Sequence, residues 1–153
     1  MTMTTEMTTA EKIQSLVDRA DITDLVHRLG MCLDEARFED MRDLVADDAS
    51  LHSPGGTVQG IDAIVAQAAR IHPAEDGILH TITNVLIDLD RDTAHARANL
   101  IVSFATPAAT DEPGHPPTVR SIQGQVYRFE FVRSDAGWRF TSLATTPIWR
   151  SAA

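Results

Sequence analysis

The sequence predicts an α+β fold in which helices gather on one face of a strongly curved, mainly antiparallel sheet. Three observations carry that prediction. Helical periodicity is confined to the first half of the chain. After Pro73, long β-type segments follow one another through short connections. The chain also has 153 residues, 43% of them hydrophobic, which suits one domain with one core.

Each element has its own warrant. Thr8 and Glu11 have capping-box spacing, and Ile13, Leu16, Val17 and Ala20 recur at helical period after them. Asp21 is a good N-cap, so a second helix is expected there, with Ile22, Leu25, Val26, Leu29, Cys32 and Leu33 as its apolar stripe. For Leu25, Leu29 and Cys32 simple packing accounts for the residue type. Phe38, Met41, Leu44 and Val45 predict a shorter helix in "FEDMRDLVADDA". "ASLHSPGG" and "TVQG" read as two short strands joined by a Pro-Gly-Gly turn. "IDAIVAQAARIH" is an amphipathic helix stopped by Pro73.

Four long strands are then expected at 78–90, 93–106, 119–134 and 137–148. "DRD" and "SDAG" make tight connections. The segment 106–118 holds four prolines and is expected to be a loop. Long strands twist, so the sheet should curl. Helices closing a curled sheet leave a cone-shaped cavity, a natural small-molecule site. Residues 1–8 are polar and Thr-rich and read as a disordered tail. Residues 9–150 form the single expected domain.

Composition removes several classes of function. There are 13 basic and 22 acidic residues, for a net charge of -9, and Lys12 is the only lysine. Without a basic cluster, nucleic acid and anionic membrane are poor partners. No run approaches the roughly 18 apolar residues of a membrane span. The N-terminus lacks an apolar signal core, and Cys32 stands alone, so a cytoplasmic setting is expected. No residue spacing defines a metal site, and no glycine-rich phosphate loop is present.

Two residues break local rules. His80 sits in "ILHTITNVLIDLD", a strand bound for the core, with Asn84 expected on the same face. Asp34 lies at the C-terminal end of the second predicted helix. The macrodipole there disfavours an anion by a few tenths to about 1 kcal/mol. Such conflicts concentrate at functional sites. A solvated helix end and a satisfied core histidine are the plain readings of each residue alone. Asn99 and Ser103 share a face of the 93–106 segment and are expected to line the cavity. By strand alternation His52 opposes Leu51 and Ser53, and His27, His72, His95 and His115 have no carboxylate or cysteine at a telling spacing. "HPAEDG" at 72–77 reads as solvated loop. Trp138 reads as core, and Trp149 as a cover for the cavity mouth or a subunit contact.

Taken together, "DITDLVHRLGMCLDEARFEDMRDLVADDASLHSPGGTVQGIDAI", "LHTITNVLIDLD" and "GQVYRFEFVRSDAGWRFTSL" resemble the SnoaL-like group of the nuclear transport factor 2-like superfamily. The resemblance runs from about residue 12 to 148. It is nearest in style to scytalone dehydratase, bile-acid 7α-dehydratase and hexachlorocyclohexane dehydrochlorinase. It implies the cone-shaped barrel and a homodimer or homotrimer. It also implies a catalytic pair, with Asp34 from the helix meeting His80 on the strand. Leu29, Leu51, Ser53, Val58 and Tyr127 fall on its expected substrate wall. Leu29 and Leu143 stand where the dehydrochlorinase has lysine and arginine, which argues against chloride abstraction. Tyr127 is the only tyrosine, which argues against a scytalone-type substrate.

A His–Asp pair of this kind has a defined chemistry. The carboxylate fixes the imidazole tautomer and stabilises the imidazolium. The free ring nitrogen then takes a proton next to a carbonyl. Returning that proton to a leaving hydroxyl is dehydration; returning it to another carbon is isomerisation. Neither outcome requires a metal or an organic cofactor. The rival readings are a SnoaL-type polyketide cyclase, a limonene-type epoxide hydrolase, and a binding module without catalysis. For the hydrolase, Asp34 lacks a second inward carboxylate and an arginine.

Overall fold

The first helix is a single element. In the computed structural model, which describes residues 7–105 and 113–151, α1 runs unbroken over Thr9–Asp34. Thr8 caps it: the Glu11 amide donates to Thr8 Oγ1 at 3.2 Å, and Glu11 receives the Thr8 amide at 2.6 Å. Of the expected tail, residues 1–6 lie outside the described residues. The helix start expected at Asp21 does not occur. The reason is phase: the buried stripe Ile22, Val26, Leu29, Leu33 continues back by four residues onto Asp18, not onto Ile13, Leu16 or Val17. Those three are exposed, at 57%, 68% and 46%. One helix keeps one inward face, and the apolar residues of its first turns lie off it.

A buried carboxylate in that stripe needs partners. Asp18 has them. Arg133 donates to both its oxygens at 2.7 Å, Trp138 Nε1 donates at 3.1 Å and Gln14 donates at 3.1 Å. The Arg133 guanidinium also stacks 4.5 Å from the Trp138 ring centroid. This cluster pins α1 to the β5–β6 end of the sheet. Arg133 chiefly, opposed by burial, brings the Asp18 carboxyl down from 3.8 to about 2. A lowered carboxyl stabilises the fold above its unfolded value and loses that contribution as pH falls through the folded one. Asp18→Asn should therefore cost about 2 kcal/mol at pH 7. The gap from wild type should close between about pH 4 and pH 2. Urea titrations at the two ends of that window read it; equal stability at pH 7 would refute it.

After α1 the chain makes a 3-10 turn, Phe38–Asp43, and enters β1, Val45–Ser53. The expected helix is thus shortened and its tail is strand. The spacing of Phe38, Met41 and Leu44 fits a three-residue period as well as a 3.6 one. β2, Gly56–Gln59, pairs back on β1, and α2, Ile61–Ile71, follows. The remaining strands are β3 Gly77–Asp90, β4 Thr93–Ala105, β5 Ser121–Ser134 and β6 Gly137–Arg150. Residues 106–112 of the expected loop lie outside the described residues.

The six strands form one sheet in the order β2-β1-β6-β5-β4-β3. All neighbours are antiparallel except β1 and β6, which run parallel. α1 and α2 lie on its concave face, over a core that includes Phe129, Phe131 and Phe140. Bulges bend the long strands. In β3 the register shifts between Thr83 and Leu86. Ile78, His80 and Ile82 face inward before it, and Val85, Ile87 and Leu89 after it. Asn84 is the extra residue, with φ 54°, exposed. It does not share the face of His80, because period two fails across a bulge.

Candidate active site

The site is built where α1 ends over β3. Gly30 sets the approach: a Cβ there would meet Ile82 Cδ1 at 3.2 Å and the His80 Cβ at 3.8 Å. One turn later Asp34 is the last helical residue. The chain leaves through Ala36 at φ 53°, with the Arg37 amide donating to the Cys32 carbonyl at 2.8 Å. No basic residue occupies the last turn to offset the helix dipole. The strand compensates. The His80 backbone amide donates to Asp34 Oδ1 at 2.9 Å and lies 3.2 Å from Oδ2. The ring follows, with Nδ1 2.6 Å from Oδ1. The His80 side chain is 2% exposed and that of Asp34 18%.

This geometry selects a tautomer. A carboxylate accepts, so Nδ1 carries the proton and Nε2 keeps its lone pair. Asp34 lies behind the ring, and the ring itself forms part of a cavity wall. The free lone pair therefore belongs to the cavity side.

The cavity holds about 240 Å³. That is room for about eight waters, or for one small ring system. Its wall is mostly aliphatic and, among the described residues, carries no Asp, Glu, Lys or Arg. Leu29, Leu51, Ser53 and Tyr127 lie on it, where they were expected. Leu143 lies there too. The Tyr127 ring is buried, and its hydroxyl bonds to no protein group among the described residues. Burial, aided by the Asp34 charge, pushes its pKa well up, so the hydroxyl stays a donor.

Three expected wall residues are elsewhere. Asn99 and Ser103 are on the other face of β4. The inward set is Ala94, Ala96, Ala98, Leu100 and Val102, and the odd-numbered residues alternate outward. Asn99 faces a surface groove with Thr83 and Trp149. Val58, opposite Leu51 on β2, packs against the core instead of the cavity. Trp149 does not cover the mouth; it lies against Gly124 on the outer surface, half exposed. His52 faces out and bonds Thr57.

Sequence reasoning missed other wall residues. Gln123, Gln125 and Thr145 carry polar groups into the cavity, and Gln125 donates to Gln123 at 3.1 Å. His72 is the larger omission. It caps α2, and its ring stands 5.2 Å from the His80 ring, not in solvated loop. A signal existed: Ile64, Ala68 and His72 follow one another at four-residue spacing, all on the wall. Cys32 is buried on α1's inner face, and burial raises its thiol pKa, which makes it an inert packing residue.

A cone-shaped cavity with an imidazole on its wall and a carboxylate behind that ring defines a pocket on a nuclear transport factor 2-like fold. The SnoaL-like domain model matches residues 14–144, and the chain belongs to that family. Solved structures agree on the fold. A candidate scytalone dehydratase from Novosphingobium aromaticivorans is 20% identical, with a TM-score of 0.76 over 92% of this chain and 90% of its own. The type 3 hexachlorocyclohexane dehydrochlorinase LinA from Novosphingobium barchaimii is 18% identical, with a TM-score of 0.75 over 92% of each chain. A nuclear transport factor 2-like superfamily protein from Salmonella enterica serovar Typhimurium is 12% identical, with a TM-score of 0.75 over 90% of this chain and 96% of its own. No curated protein sequence matches the chain. No helix among the described residues is long and apolar enough to cross a membrane.

Proposed function

We propose that the protein is a cofactor-independent lyase or isomerase, acting as a dehydratase on a hydroxylated cyclic or polyketide-like small molecule. The observation that carries the reading is the 2.6 Å contact between His80 Nδ1 and Asp34 inside a buried wall. His80 Nε2 takes the proton from a carbon beside a carbonyl. The C–H electron pair forms the enolate, whose oxygen the neutral Tyr127 hydroxyl is suited to bond. The enolate collapses and expels hydroxide from the next carbon. The imidazolium returns its proton to that hydroxide, so water and a conjugated enone leave.

Among the described residues the wall carries no arginine and no carboxylate, which disfavours epoxide hydrolysis, since that needs paired carboxylates around a water. Cyclisation in the same cavity is the alternative that remains chemically closest, since it starts with the same proton abstraction. A binding module without catalysis would use the same imidazole only as a hydrogen-bond acceptor, so proton transfer is what separates the two readings. The test is a panel of cyclic β-hydroxy ketones followed by the rise of enone absorbance, with solvent deuterium uptake at the α-carbon read in parallel. Catalysed exchange or elimination is expected. Binding with neither would leave the binding module as the better account.

A cytoplasmic setting and self-association belong to the same proposal. Leu16 on α1, and Leu79, Leu86 and Ile148 on the strands, are each more than 60% exposed. Covering such residues is a common reason for chains to pair. Light scattering that finds only monomer would remove that part.

A further inference from the structure

His72 has no part in the scheme above, yet it is the polar ring nearest to the proposed base. The two imidazole centroids are 5.2 Å apart, with their planes inclined at 39°. Both rings are on the cavity wall. His72 Nδ1 lies 3.1 Å from the Ala68 carbonyl oxygen. A carbonyl only accepts, so Nδ1 carries the proton and Nε2 holds the lone pair. This contact comes from the last turn of α2, where the Ala68 carbonyl also accepts the His72 backbone amide at 3.0 Å and uses its second lone pair for the ring. His80 is fixed in the same tautomer by Asp34. The cavity thus presents two acceptor nitrogens side by side.

The charge state agrees. Burial chiefly, and then the neighbouring His80, hold the His72 pKa below its ordinary value, against the Ala68 carbonyl and Asp34. A proton on one ring discourages a proton on the other, and of the two rings it is His80 that touches the Asp34 carboxylate. His72 therefore remains a neutral acceptor while His80 works. An unfilled acceptor in an apolar wall favours a ligand that brings an O–H to it. The wall amides Gln123 and Gln125 bond one another.

We propose that His72 Nε2 accepts a hydrogen bond from a retained hydroxyl of the substrate, and so selects phenols and cyclic alcohols over their ethers. The proposal rests on the cavity being a substrate site with His80 as its base, and it names the class of substrate. His72 is then a specificity-determining residue that touches the substrate.

The experiment uses the full chain with 15N-labelled histidines, titrated with 2-naphthol and with 2-methoxynaphthalene. The two compounds share a ring system and differ in the O–H. Naphthol is expected to bind about tenfold tighter, which is roughly one good hydrogen bond. The His72 Nε2 resonance should move with naphthol and stay with the ether. His72→Phe should erase the preference while still binding the ether. The wild-type spectra stand even if that variant does not fold. Equal binding of the two compounds overturns the proposal. So does a naphthol shift confined to His80, an undiminished preference in His72→Phe, or no naphthol binding at all. The same spectra report the His80 tautomer. Were its Nδ1 unprotonated, the His80–Asp34 base would be lost, while the His72 result would stand by itself.

Discussion

His80→Ala is expected to lower turnover by about 10²–10⁴-fold, the usual share of a positioned acid–base group, with the fold intact. The fold should survive because the strand is held to α1 by its backbone. The His80 amide, which donates to Asp34 at 2.9 Å, is unchanged by the substitution. The lost ring merely enlarges a cavity already present. The carboxylate keeps its amide partner and its partial exposure, so it is not stranded. Thermal unfolding and circular dichroism should match wild type closely. Free imidazole added to the variant should restore part of the rate, since the vacated space opens on the cavity. Full activity in His80→Ala would end the dyad mechanism outright.

Asp34→Asn is expected to reduce the rate by a comparable factor, about 10²–10⁴-fold, through the state of the ring and not its absence. Asparagine has two orientations here, and both fail. With its NH₂ toward Nδ1, the ring must accept at Nδ1, so its proton moves to Nε2 and the base is gone. With its oxygen toward Nδ1, the tautomer survives. The NH₂ then faces the His80 amide at the 3.2 Å Oδ2 position, donor against donor. In that orientation the charge that stabilises the imidazolium is also missing. Substrate binding should change little, because Asp34 lies behind the ring and off the wall. A large fall in kcat with a nearly constant KM is the expected signature. An unchanged kcat would show that the carboxylate only fastens the helix to the strand.

Much of this arrangement was legible in the residues. The strands β3 to β6 follow from β-branched and aromatic runs separated by short polar turns, and their ends fall within a few residues of expectation. Asp34 stood out because it opposes the helix dipole, and His80 because a core strand rarely carries an imidazole. Residue types and periodicity are local properties, so local conflicts show in the sequence. The failures share one cause, which is that facing depends on phase. Ile13, Leu16 and Val17 make a good stripe, yet the inward face is fixed by residues 22–33 and lands on Asp18. Asn99 and Ser103 share a face with each other and not with the cavity. Asn84 lost its predicted face to a bulge.

The sequence by itself determined the order of helices before long strands, the net negative charge, and the identity of the two groups able to form a base. Only the tertiary structure decided which of them meet. Asp34 and His80, 46 positions apart, meet because Gly30 lets the helix lie close on the strand. His72 reaches the same wall from the far end of α2, brought there by packing. Contacts between distant parts of a chain depend on how elements pack. That is set by volumes and phases summed over the whole core, and no single stretch of sequence carries the sum.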